Sequence, residues 1–179
     1  MKFVLLLLSI TFLFGGNYNE KEILHYYSQS NYKKACKEGK KVLNKLENSF
    51  VSVVGDACAK ADDINTLGII VKKLNKTKND RANASYFATL ILQKKLIYQF
   101  MNDGLDISGL VLPKTGHILS RVFEKLTLKN YKRVDKKIKK LYINDGEYKY
   151  ILWLSHDKPA KLYIAEYKND IFIKKHWYR

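Results

Sequence analysis

Acidic residues are scarce in this chain, with 17 Asp and Glu against 33 Lys and Arg and a formal charge of +16. The imbalance implies attraction to anionic surfaces without fixing a fold. Lysine supplies nearly all of the positive charge, which favours diffuse attraction over bidentate recognition. An AT-rich genome would produce the same richness in Lys, Asn, Ile and Tyr. Beyond Phe14 no stretch is apolar enough for a membrane span. There is no phosphate-cradling glycine loop, no carboxylate pair at a catalytic spacing and no serine in a strained-elbow motif. The four histidines, His25, His117, His156 and His176, are scattered, and the two cysteines lack zinc-site spacing. No cofactor, no metal and no catalytic residue is therefore expected, and no small-molecule substrate is identified. His156 beside Asp157 reads as a solvated turn.

What is present begins with MKFVLLLLSITFLFGG: one lysine, an apolar stretch from Phe3 to Phe14, then two small residues. Residues 1–16 thus read as a secretory signal peptide, with a mature start near Asn17 and a periplasmic or secreted location. The stretch is twelve residues long, whereas a spanning helix needs roughly 20 to cross about 30 Å of hydrocarbon. In an oxidising compartment Cys36 and Cys58 are expected to form a disulfide. They lie eleven residues on either side of Glu47, so antiparallel helices turning near that residue bring the sulfurs to matching heights.

Apolar residues recur at helical spacing from Lys21 to Leu74, with breaks at Ser30-Asn31, near Glu47 and at Asp62-Asp63, which gives four short helices in two hairpins. In HYYSQSNYKKA, His25 to Ala35, paired aromatics precede a polar turn, an aromatic and a small residue. Tyr26 and Tyr32 are expected to pack across the hairpin, Ala35 to let its helices approach closely, and Val42 and Leu43 to cover the seam to the next pair. The second hairpin, Val51 to Leu67, has Gly55 at its helix contact and a turn at Asp62-Asp63-Ile64. Over residues 21–74 this pattern resembles a degenerate tetratricopeptide repeat, and the resemblance implies a protein-binding scaffold.

A longer helix is expected from Ala82 to Met101, with Phe87, Leu90, Ile91, Ile97, Phe100 and Met101 on one face and Lys94 and Lys95 opposite. A loop containing Pro113 follows, then a helix from His117 to Leu126. The segment KNYKRVDKKIKK, Lys129 to Lys140, reads as an amphipathic helix on Val134, Ile138 and Leu141, with a strand as the alternative. Lys132, Arg133, Lys136, Lys137, Lys139 and Lys140 are the candidate contacts to an anionic partner. After Leu141 the apolar period becomes two, with turns at Asn144-Asp145-Gly146, His156 to Pro159 and Lys168-Asn169-Asp170. The aromatics Trp177 and Tyr178, beside Arg179, are candidate stacking contacts.

The expected architecture is α+β: a helical domain over 17–127, tetratricopeptide-like in its front half, then a basic helix and antiparallel β-meander over 128–179. The function that fits is an exported envelope scaffold whose partner is another envelope protein, such as an accessory subunit of a motor or secretion apparatus. A binder of anionic polymers or lipid surfaces (peptidoglycan, lipid phosphates, nucleic acid) is the alternative, and an unrecognised hydrolase the third class left open.

Overall fold

The computed structural model describes residues 18–135 and 139–179. Among the described residues six α-helices precede a five-stranded antiparallel meander, as an α+β chain with helices first requires. The helices are α1 (Tyr18–Ser28), α2 (Tyr32–Val42), α3 (Asn48–Lys60), α4 (Leu67–Lys73), α5 (Lys78–Asn102) and α6 (Ile118–Thr127). None of the described helices is long and apolar enough to cross a membrane.

The ends of the helices explain the hairpins. Helices α1, α3 and α6 each close with a left-handed residue, Ser30, Asp62 and Lys129, and each of these is followed by an amide that reaches back five residues: Asn31 to Tyr26, Asp63 to Cys58 and Asn130 to Lys125. This is the Schellman arrangement, which satisfies otherwise orphaned carbonyls and reverses the chain, here without the glycine that usually occupies the left-handed position. Helix α5 opens with a capping box in which Thr77 and Asp80 exchange hydrogen bonds.

Packing between the hairpins is tight because small residues sit at the contacts. Ala35 is fully buried; a Cβ on Gly39 would lie 2.3 Å from a Val54 methyl, and one on Gly55 would lie 2.5 Å from the Phe87 ring. The aromatic pair across the first turn is Tyr27 with Tyr32, at a centroid distance of 5.4 Å, rather than Tyr26 with Tyr32. Tyr26 faces His25 and Lys34 instead. Cys36 and Cys58 are bonded, tying α2 to α3 at a Cα separation of 4.8 Å, and both are buried.

The sheet runs in sequence order, β1 (Lys132–Asp135), β2 (Lys140–Asp145), β3 (Tyr148–Leu154), β4 (Leu162–Lys168) and β5 (Ile171–Tyr178). Register places Leu141, Leu152, Ile164 and His176 in one cross-strand row, and Leu154, Leu162 and Tyr178 in another. These rows form the buried face, part of a single core with Leu119, Val122, Phe123 and Leu126 of α6. Salt bridges from Lys125 to Asp145 and from Arg121 to Glu166 fasten α6 to the strands.

The basic helix expected over 129–140 is corrected: its described residues include the strand β1 and the first residue of β2, as in the alternative reading. Lys132 pairs with Tyr142 and Arg133 with Leu141. Val134, counted as part of an apolar helix face, is 61 % exposed. A helix would stack like charges three and four residues apart, whereas a strand sends alternate ones to opposite faces. Tyr131, packed edge-on against Phe100, anchors the strand's start.

The disulfide closes a separation of 22 residues, which corresponds to roughly 3 kcal/mol of chain-entropy stabilisation. Replacing both cysteines (Cys36→Ser with Cys58→Ser) is therefore expected to lower Tm by about 6–12 °C for a chain of this size. Thermal denaturation and thiol titration check this. No titratable thiol is expected in the native protein, and two would contradict the bond.

Candidate basic cleft

Asp62 is where helices and sheet meet. The Schellman turn at the end of α3 holds its backbone at φ +67° and directs its carboxylate toward β5. There His176 Nδ1 lies 2.7 Å from Oδ1, the Tyr178 hydroxyl donates to the same oxygen at 2.9 Å, and Lys174 Nζ lies 2.8 Å from Oδ2. Lys174 also donates to the carbonyl of Lys60, the last residue of α3. Residues 174, 176 and 178 alternate along the strand, so all three face inward together. Burial pushes the Asp62 carboxyl up, but the hydrogen bonds and charges of His176 and Lys174 outweigh it and hold the group below its ordinary value. Tyr178 is raised well above the usual phenol range, first by burial and then by the adjacent Asp62 charge.

An aspartate orienting a histidine is half of a hydrolytic arrangement. The other ring nitrogen, His176 Nε2, lies 3.6 Å from Glu166 Oε2, so it faces a carboxylate where a hydroxyl nucleophile would stand. The imidazole lies between two carboxylates, bonded to Asp62 through Nδ1 and without a hydrogen bond at the buried Nε2.

Beside this junction lies a cleft of about 750 Å³. One wall is the face of α2 that carries Lys33, Lys37 and Lys40; the other is the end of β5, with Lys174, Lys175, Trp177 and Arg179. Its floor is the turn from Ala61 to Asn65, with Lys60 and Lys94. Eight cationic side chains thus surround the cleft against the carboxylates of Asp62 and Asp63. Both carboxylates are engaged: Asp62 by β5, and Asp63 by Lys40 Nζ at 2.7 Å and the Thr66 hydroxyl at 2.8 Å. Burial raises the Asp63 carboxyl less than those partners lower it. Lys60 pairs with Asp56 and covers the rings of Tyr27 and Tyr32. Lys33, Lys37 and Arg179 line the cleft without a side-chain ion pair among the described residues, and the Arg179 charge also acts on Asp157.

Lys94, expected opposite the apolar face of α5, is instead buried; its ammonium donates to Asn65 Oδ1 and to the Arg179 carbonyl. Its pKa is lowered by burial and by neighbouring Lys95. Of the two aromatic contacts expected at the chain's end, Trp177 is 51 % exposed at the cleft's lip, whereas Tyr178 is only 2 % exposed. Tyr178 is corrected from a stacking contact to part of the Asp62 clamp, because its place in the strand alternation points it inward. The anionic-contact candidates lie elsewhere. Lys132 and Arg133 are on β1, the opposite edge of the sheet, where the Arg133 guanidinium sits 5.0 Å from the Phe100 ring centroid. Lys139 donates to the Asn102 carbonyl, and Lys140 covers Tyr142. Lys136 and Lys137 lie outside the described residues.

The sulfurs of Cys36 and Cys58 and an Asp63 oxygen lie within 4.8 Å of one another, a spacing that can ligate a metal. Bonded to each other, the cysteines offer no thiolate for it.

His117 closes the back of the junction. Its Nδ1 accepts the amide of Leu119 as the N-cap of α6, which leaves Nε2 carrying the proton toward the Ala59 carbonyl at 3.2 Å. Burial holds this imidazole below the ordinary histidine value. Protonating Nδ1 removes the cap acceptor. A depressed histidine contributes stability that is complete above the unfolded value of 6.5 and is lost as pH falls through the folded one. Tm is therefore expected to decline as pH is lowered from 7.5 to 5, and the decline to be shallower in His117→Asn, which keeps a capping acceptor. The charges of Asp62, His176 and Lys174 act on this site in both proteins, so the difference in slope is the measurement. Identical slopes would contradict the assignment.

No family model matches the chain, and neither a curated protein nor a solved structure matches it.

Proposed function

We propose that the protein is an exported binding module that takes an anionic partner in the cleft between α2 and β5. The observation that carries this is the charge of the cleft: eight cationic side chains line it, Lys40, Lys60 and Lys174 are paired with Asp63, Asp56 and Asp62, and Lys33, Lys37, Lys175 and Arg179 face it without a side-chain ion pair among the described residues. Walls of this kind concentrate an anion and speed its arrival, with an affinity that falls steeply as salt displaces the ligand. The disulfide supports an oxidising, extracytoplasmic compartment, periplasmic or secreted, in agreement with the signal-like N-terminus. An envelope scaffold remains the cellular role that fits, and the tetratricopeptide-like resemblance of residues 21–74 favours a protein as the partner. The charge of the cleft is what narrows the choice among surfaces.

Polyphosphate is a suitable probe, read by the fluorescence of the exposed Trp177. The double variant Lys33→Glu with Lys37→Glu is expected to weaken binding at low salt at least tenfold and to leave Tm nearly unchanged, because both side chains are exposed and unpaired among the described residues. Lys132→Glu with Lys140→Glu, an equal change of charge at the far side of the sheet, should have little effect. Equal weakening by both variants would show that net charge alone attracts the ligand and would remove the cleft as the site.

A further inference from the structure

The two edges of the sheet differ in a way that the cleft's charge does not explain. Edge β1 is blunted: it is four residues long, its register slips between Arg133 and Asp135, and it displays Lys132 and Arg133. Short length, irregularity and charge are the devices by which sheets prevent a further strand from adding. Edge β5 is twice as long, eight residues, and hydrogen-bonded to β4 alone; its own register shift falls between Phe172 and Lys174, which leaves Lys174 to Tyr178 in regular register. Ile171, Phe172, Ile173 and Trp177 on it are each more than half exposed. An edge of that length and character is a template for another strand.

Resting on the anion-binding reading above, we propose that the natural occupant is an acidic peptide segment in extended conformation, which adds as a sixth strand to the open edge of β5. Four of that strand's last five residues, Lys174, Lys175, Trp177 and Tyr178, line the cleft, so an added strand would run along the cleft and face the α2 lysines. Main-chain hydrogen bonds to the edge would supply affinity, and alternate side chains the specificity. Acidic side chains on the cleft-facing positions of the peptide would meet Lys33, Lys37 and Arg179, while its opposite face would continue the outer surface on which Trp177 stands next to Tyr163. A second copy of this chain is disfavoured as the occupant: two β5 edges would bring Lys174 and Lys175 against their counterparts in a protein of net charge +16.

Two heptapeptides distinguish strand addition from simple attraction. One is acetyl-Glu-Val-Glu-Val-Glu-Val-Glu-amide; the other is the same peptide N-methylated at every residue, which keeps the charge and removes the main-chain N–H donor of every residue. With the disulfide-intact protein at low salt, the first is expected to bind at least tenfold more tightly than the second. It should also slow hydrogen exchange of amides in β5, which polyphosphate should leave unchanged. Equal affinity of the two peptides, or polyphosphate binding with no peptide binding, would overturn strand addition while the anion-binding cleft stands. Absence of binding by peptides and polyphosphate alike would overturn both.

Discussion

A single buried carboxylate carries the arrangement on which the rest of this structure depends. Asp62 occupies the left-handed position of a helix-ending turn, where glycine would be easier to accommodate. Aspartate tolerates that conformation better than most residues, and it brings a charge that glycine lacks. Three donors from β5 converge on that charge, which leaves no cost of an unpaired buried anion and fastens the last strand to the third helix. The contact spans 114 residues of sequence, so one interaction joins the front of the chain to its end.

The cleft follows from that junction. Once β5 is held against the α3 turn, the α2 wall can take only the position that the Cys36–Cys58 bond and the close approach of Gly39 to Val54 allow. Lysines on α2 and on β5 then face one another across the turn. The local carboxylates neutralise only part of this charge: Asp62 pairs with Lys174, Asp63 with Lys40 and Asp56 with Lys60. The small number of acids is what leaves the cleft positive, and a chain with more of them would close the same cleft with internal salt bridges.

Local signals in the sequence were sufficient for much of this. Breaks at Ser30-Asn31 and Asp62-Asp63 coincide with the left-handed turns that end α1 and α3, and the positions of Cys36 and Cys58 about Glu47 place them on facing helices, where the bond is found. The change of period after Leu141 marks the meander. What was not legible depends on partners far away in sequence. His176 looks like one of four scattered histidines until Asp62 is placed beside it, and Lys94 looks solvent-facing until the end of the chain folds over it. Segment 129–140 misleads because its apolar residues suit a helix over too short a window, while the hairpin partner that decides the matter lies beyond it. A usable signal did exist: an aspartate where a helix end prefers glycine, and two polar residues, His176 and Tyr178, at the alternation positions of an inward face.

The claim that Asp62 and β5 act as a clamp is tested most directly by a double-mutant cycle on the folding free energy of the protein, with Asp62→Ala, His176→Ala and the pair, measured by denaturant unfolding at neutral pH. If the clamp joins the two halves, the two changes are strongly non-additive, with a coupling of about 1–3 kcal/mol. Effects that add to within about 0.5 kcal/mol would mean that the two residues stabilise the protein independently, and the junction proposed to build the cleft would not exist.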